Sequence, residues 1–128
     1  MEMNDPANAA AMPAPEGPGA EFRRTDDGAL VCSLAGELDL DGVLAVGPAL
    51  EEAVRSGAPL MVVDLSRVGF CDSSGLNLLL RTRTDADSAG TALRLAGAPD
   101  QLLRLLEITG ADRVFALEPT LEHALAAR

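Results

Sequence analysis

The spacing of apolar and polar residues predicts alternating strands and helices from residue 22 onward. Ala29–Ala35 has apolar residues at alternate positions, as is typical of a strand with one buried face. We expect Glu21–Thr25 to be its hairpin partner, with an Asp-Asp-Gly turn at residues 26–28. Leu60–Leu65 is nearly continuously apolar, as is typical of a strand covered on both faces.

Segments whose apolar residues recur every three to four positions predict helices near Asp41–Arg55, Ser73–Ala89, Asp100–Thr109 and Thr120–Ala127. Two further strands are expected between them, at Thr91–Ala96 and Arg113–Leu117. Pro48 lies inside the first helix and is expected to kink or restart it. Residues 36–39 and 66–72 are expected to be loops. Strands that alternate with helices imply parallel pairing, so the predicted fold is a single α/β domain.

The first 20 residues differ in composition from the rest. They contain four of the eight prolines, three acidic residues and no basic residue. Such a segment cannot bury enough apolar surface to offset its ordering entropy. We therefore expect residues 1–20 to be a disordered tail and residues 21–128 to form the domain. A docking role for the tail is the less favoured alternative.

Composition excludes several classes of function. The net charge of −10 would repel nucleic acid and anionic membranes, and 2% aromatic residues leave few side chains for base stacking. All ten basic residues are arginine, which excludes Schiff-base and P-loop lysines. One histidine and two cysteines are too few for a usual zinc site. Because no signal peptide or membrane-spanning segment is evident, we expect a cytoplasmic protein with reduced thiols.

The segment between the buried strand and the second predicted helix contains candidate chemistry. Asp72 and Ser73 lie where a helix N-cap is expected. One interpretation is capping alone. In the other, Ser73 is a modification site, because a phosphate at a helix N-terminus meets free amides and the positive end of the helix dipole. Such a modification would add roughly −1.5 to −2 charges and would hinder a partner that had to bury them.

A helical wheel of the second predicted helix assigns one stripe to the core: Leu76, Leu79, Leu80, Arg83 and Ala86. Leu78 points nearly the opposite way, together with Ser74, Arg81 and Asp85. We therefore expect Leu78 to be exposed one turn beyond Ser73, where it could contact a partner.

Several segments together resemble the STAS domain, and more narrowly the bacterial anti-sigma factor antagonists: Gly36–Asp39, Val62–Leu65, Phe70–Leu76, Leu93–Leu95 and Leu106–Gly110. The resemblance covers roughly residues 22–127. It implies a small mixed β-sheet with flanking α-helices. It also implies a partner that is both an anti-sigma factor and a serine kinase, whose capture frees a sigma factor.

The resemblance further implies that the kinase phosphorylates Ser73 and that a serine phosphatase acting on phospho-Ser73 resets the cycle. Asp72, Ser74 and Gly75 match the surrounding motif, and Glu37 and Asp39 lie in a loop expected on the same face. Together with Leu78, these residues are the predicted switch and partner-binding set. No cofactor or metal and no catalytic residue is expected.

Other interpretations have less support. Cys71 and Cys32 read as buried, inert thiols, since Asp72 would raise the pKa of Cys71. An esterase using Ser73 lacks a nucleophile elbow, and the single histidine, His123, is expected to face solvent. The main alternative is a STAS-type scaffold or ligand-binding module in a signalling or lipid-transport complex.

Overall fold

The computed structural model describes residues 19–126, which form a single α/β domain. The elements follow in the order β1 Gly19–Arg24, β2 Leu30–Leu38, α1 Leu40–Arg55, β3 Leu60–Cys71, α2 Ser73–Ala89, β4 Ala92–Ala96, α3 Asp100–Thr109, a 3₁₀ turn Ala111–Arg113, β5 Ala116–Glu118 and α4 Leu121–Ala126. Strand order in the sheet matches chain order, from β1 to β5.

The sheet is mixed, as expected. β1 pairs antiparallel with β2 through the predicted hairpin, with Arg24 opposite Leu30. The remaining pairs are parallel and bring the starts of α1 and α2 to one edge of the sheet. The parallel strands are linked by helices, which is the arrangement that the alternation of elements predicts.

Apolar side chains pack on both faces of the sheet, in one larger and one smaller hydrophobic cluster. The larger core lies under α1, α2 and α3 and contains alternate residues of the strands, including Leu34, Met61, Val63 and Leu95. A smaller cluster on other strand residues surrounds Ala124 of α4. Because the first part of β3 is covered on both sides, residues 60–63 are apolar without alternation.

Both segments that were predicted to be loops are strand except for their last residues, Asp39 and Asp72. β2 continues to Leu38 and β3 to Cys71, and the two remain paired over these residues. The register shifts between Ser33 and Ala35 and between Gly36 and Glu37. A shift of this kind interrupts the period of two, so the pattern of side chains hid the strand.

Other predicted features also change. β5 is Ala116–Glu118, because a 3₁₀ turn takes the start of the predicted strand. β1 begins at Gly19, so the last two residues of the predicted tail belong to the sheet, and residues 1–18 lie outside the described residues. Finally, α1 does not restart at Pro48, which is exposed. The hydrogen bond that proline removes is therefore lost on the solvent side of the helix.

Candidate functional site

The starts of α1 and α2 meet at the carboxyl ends of β2 and β3. Asp39 is the N-cap of α1, and its Oδ1 accepts a hydrogen bond from the amide of Gly42 at 3.0 Å. Asp72 is the N-cap of α2, and its Oδ1 accepts one from the amide of Ser74 at 2.9 Å. The capping prediction for Asp72 is confirmed. We call these two strand-to-helix junctions, which contain Asp39 and Asp72, the corners. In each corner a capping aspartate is followed three residues later by glycine.

Each of these glycines permits a close approach to the end of β2. A Cβ on Gly42 would collide with the carbonyl oxygen of Glu37, and one on Gly75 would collide with the carbonyl oxygen of Leu38 and lie 2.6 Å from Cys71 Sγ. The amide of Asp72 donates to the same Leu38 oxygen at 3.3 Å. Gly75 is therefore buried, and it positions the corner without being accessible to a partner.

Ser73 is the first residue of α2, and it is exposed. Glu37 is exposed at the adjoining end of β2, whereas Asp39 and Ser74 are half-buried. The expected neighbourhood of Ser73 is thus present at one sheet edge. Ser73 is an accessible residue at a helix start, and the acidic residues Glu37, Asp39 and Asp72 belong to the same edge. A phosphate on Ser73 would therefore add charge to an already acidic edge.

The exposure predicted for Leu78 is wrong. Leu78 is only 3% exposed and packs between α2 and α1. A Cβ added at Gly47 of α1 would lie 3.7 Å from Leu78 Cδ1. α2 is covered by both the sheet and α1, so its buried arc is wider than one stripe. Arg83, assigned to the core, is only half-buried, and its Nε donates to the carbonyl of Val114 at 2.7 Å.

The exposed leucines of this region lie instead on α1. Leu40 is 63% exposed and Leu44 is 68% exposed. They are four residues apart and therefore lie on the same face of the helix. Leu40 directly follows the capping Asp39, so this apolar pair begins next to the corner that holds Ser73.

A side chain of α3 completes the site at the open edge of β3. β3 is paired with β4 only as far as Asp64, and Cys71 therefore lies beyond that pairing. Gln101 takes the place of a neighbouring strand, because its Oε1 accepts from the Cys71 amide at 2.9 Å and its Nε2 donates to the Cys71 carbonyl at 2.8 Å. This clamp holds the residue immediately before Asp72. No local pattern marks Gln101, and sequence reasoning missed it.

The two thiols are buried, as expected. Burial raises the pKa of Cys32 to about 12. Burial, with a smaller contribution from the negative charge of Asp72, raises the pKa of Cys71 to about 11. A thiol in this state is a poor nucleophile at neutral pH.

His123 of α4 is exposed, and its Nδ1 lies 2.7 Å from the hydroxyl of Thr120, the residue that directly precedes this short helix. That helix packs on the sheet face opposite α2, so His123 cannot serve Ser73 as a base.

Among residues 19–126, no group of histidine, cysteine, aspartate and glutamate has a geometry suited to a metal ion. Nor does that part of the chain contain a helix long and apolar enough to span a membrane.

Residues 22–121 match the family described as "Mlab, STAS domain". The chain belongs to the STAS domain family. It is 32% identical over 101 residues to the anti-sigma-F factor antagonist RsfB of Mycobacterium tuberculosis, covering 77% of this chain and 80% of RsfB. It is 37% identical over 76 residues to the intermembrane phospholipid transport system binding protein MlaB of Escherichia coli, covering 59% of this chain and 75% of MlaB.

Solved structures of STAS proteins have the same fold. An anti-sigma factor antagonist from Mycobacterium paratuberculosis superposes with a TM-score of 0.81 at 32% identity, covering 91% of this chain and 97% of that one. SpoIIAA in its unphosphorylated form gives a TM-score of 0.70 at 21% identity, covering 84% and 93% of the two chains. Bacillus SpoIIAA in its phosphorylated form gives 0.66 at 21% identity, covering 84% and 97%.

Proposed function

We propose that this STAS protein is an anti-sigma factor antagonist that binds an anti-sigma factor with serine kinase activity and thereby frees a sigma factor. Phosphorylation of Ser73 by that kinase ends the binding, and a serine phosphatase restores it. The observation that carries this proposal is the exposed Ser73 hydroxyl at the capped start of α2. The relatives named as anti-sigma factor antagonists, one with a phosphorylated form, support it.

The docking surface consists of the accessible groups of the two corners. Ser73 and Ser74 contribute from α2, and Glu37 contributes from the end of β2. Asp39 and Asp72 hold the corners through their caps while leaving part of each residue accessible. The protein needs no cofactor, because the kinase supplies the nucleotide, and no catalytic activity of its own is proposed.

Phosphorylation would act mainly through charge. A partner docked on Ser73 would have to bury a phosphate carrying roughly −1.5 to −2 charges. Burying that charge without a matching cation should cost on the order of 3–5 kcal/mol. Such a cost weakens binding by roughly 10² to 10³·⁵, which is enough to dissociate the complex. Asp72 and Glu37 are already acidic neighbours and oppose the favourable effect of the helix N-terminus on the added charge.

Binding of purified anti-sigma factor kinases from the same organism, with and without ATP, tests the proposal. The wild type should bind and be released by ATP. Ser73→Ala should bind and resist release, and Ser73→Asp should bind at least about tenfold more weakly. Ser88→Asp is the matched control, because Ser88 is exposed at the far end of the same helix. If Ser73→Ala is released by ATP as readily as the wild type, Ser73 is not the switch.

The resemblance to MlaB supports a second candidate, a subunit of a phospholipid transport system. In that case the protein would copurify with transporter subunits in the host. Mass spectrometry of the protein isolated from its host would find no phosphate on Ser73. A phosphorylated fraction that changes with growth conditions would instead favour the antagonist.

A further inference from the structure

A groove of about 590 Å³ runs between α1 and α2. Its apolar lining includes Leu40, Val43 and Leu44 from α1 and Leu78 from α2. Leu78 forms the buried floor, whereas Leu40 and Leu44 remain largely exposed on one wall. The two exposed leucines and the apolar floor together offer a partner a contiguous apolar contact.

The rim of the groove is predominantly acidic. Glu51 and Asp85 line it together with one cation, Arg81. Asp41 is exposed directly after Leu40, and Glu37 is exposed at the end nearest Ser73. An occupant with cationic groups beside apolar ones would match both features.

We propose that this groove receives a segment of the anti-sigma factor partner in which apolar side chains are flanked by arginine or lysine. The inference rests on the proposed function and extends its docking surface from Ser73 along α1. Leu40 directly follows the Asp39 cap, so the groove and the serine edge form one continuous surface. The groove itself is the same whether or not Ser73 carries phosphate, so it contributes affinity in both states, and the charge on Ser73 decides whether the total affinity is enough to hold the complex.

The charge of this chain argues against two other occupants. Residues 1–18 contain three carboxylates and no basic side chain, so they would meet the rim with like charge. A second copy of the chain carries a net charge of −10 and the same acidic rim. A cationic segment of a different protein avoids both conflicts.

Binding of the anti-sigma factor kinase to Leu44→Asp, and to the double variant Leu40→Ala with Leu44→Ala, tests the groove. We expect each to weaken binding at least about tenfold, since exposed apolar anchors dominate such interfaces. Ile108→Ala is the matched control, because Ile108 is 77% exposed on α3, outside the groove, and should bind as the wild type does. Thermal unfolding should be unchanged in all three, since the altered side chains are exposed.

A rim variant tests the charge argument separately. Glu51→Gln combined with Asp85→Asn should slow association and reduce its dependence on salt, because steering by opposite charges is screened by ions. An unchanged salt dependence would overturn the choice of a cationic segment.

The outcomes separate the groove from the switch. If Ser73→Asp binds weakly but the leucine variants bind as the wild type does, the groove proposal is wrong and the proposed function stands. If the wild type binds none of the kinases, the proposed function fails and the groove proposal fails with it. Tighter binding after removal of residues 1–18, or a dimer that Leu44→Asp dissociates, would overturn the assigned occupant.

Discussion

Replacing Gly75 by alanine tests whether the start of α2 depends on its close contact with β2. The new methyl group would collide with the carbonyl oxygen of Leu38 and lie 2.6 Å from both Leu38 Cβ and Cys71 Sγ. These atoms belong to paired strands and to a buried side chain, so none can rotate away freely. The helix can relieve the contact only by moving its first turn.

The size of the effect follows from two opposing contributions. Overpacking of this kind costs about 1–3 kcal/mol, and the contact with backbone atoms favours the upper end of that range. Alanine in place of glycine recovers up to about 1 kcal/mol of helix propensity. We therefore expect a net loss of about 2 kcal/mol in the free energy of unfolding, or roughly 8 °C in Tm.

Urea unfolding followed by circular dichroism measures this loss. Gly69→Ala is the control, because Gly69 lies in β3 and no atom lies within 4 Å of its Cβ position. It should leave the stability unchanged or slightly higher. If Gly75→Ala unfolds at the urea concentration of the wild type, or if the control loses as much, the close-contact explanation of the corner is wrong.

Three further predictions concern the same corner and the buried thiols. Asp72→Ala should cost about 1 kcal/mol of stability by removing the cap, and urea unfolding should show little loss for Asp72→Ser, which can still cap. Gln101→Ala should speed hydrogen exchange of the Cys71 amide, measured by NMR, whereas an unchanged rate would mean that the clamp does not protect it. Burial raises the thiol pKa to about 11 for Cys71 and to about 12 for Cys32, and unfolding returns both to ordinary values near 9.0. The unfolded chain therefore loses these protons first, and the free energy of unfolding should fall as pH rises from about 9 toward 11. Urea midpoints at pH 8 and pH 10 would contradict this if they agreed.

The bounds of α2 could be predicted from the sequence because residues next to each end of the helix define where it begins and ends. Asp72 caps its start, and Gly90, with φ of 75°, ends it in the left-handed conformation that glycine adopts readily. The helix consequently has the predicted bounds, Ser73–Ala89. α3 ends in the same way at Gly110 and also matches its prediction, Asp100–Thr109.

Long-range packing explains what the sequence pattern could not show. A helical wheel has one core direction, but α2 contacts both the sheet and α1, so Leu78 is buried on a side that the wheel assigned to solvent. The clamp by Gln101 joins residues 30 positions apart, and its amide has no distinctive local neighbours. At the register shifts β3 has more residues than β2, and because the shifts depend on the pairing of the two strands, a single strand does not reveal them.

The geometry of the corner indicates how a phosphate on Ser73 would act. Cys71 is held by Gln101, the amide of Asp72 is bonded to Leu38, and the carboxylate of Asp72 caps the helix. A backbone held at three successive points has little freedom to rearrange, so the added charge would remain on the surface without changing the fold. The proposed switch would therefore act on the partner, and its strength would depend on how completely the partner covers Ser73.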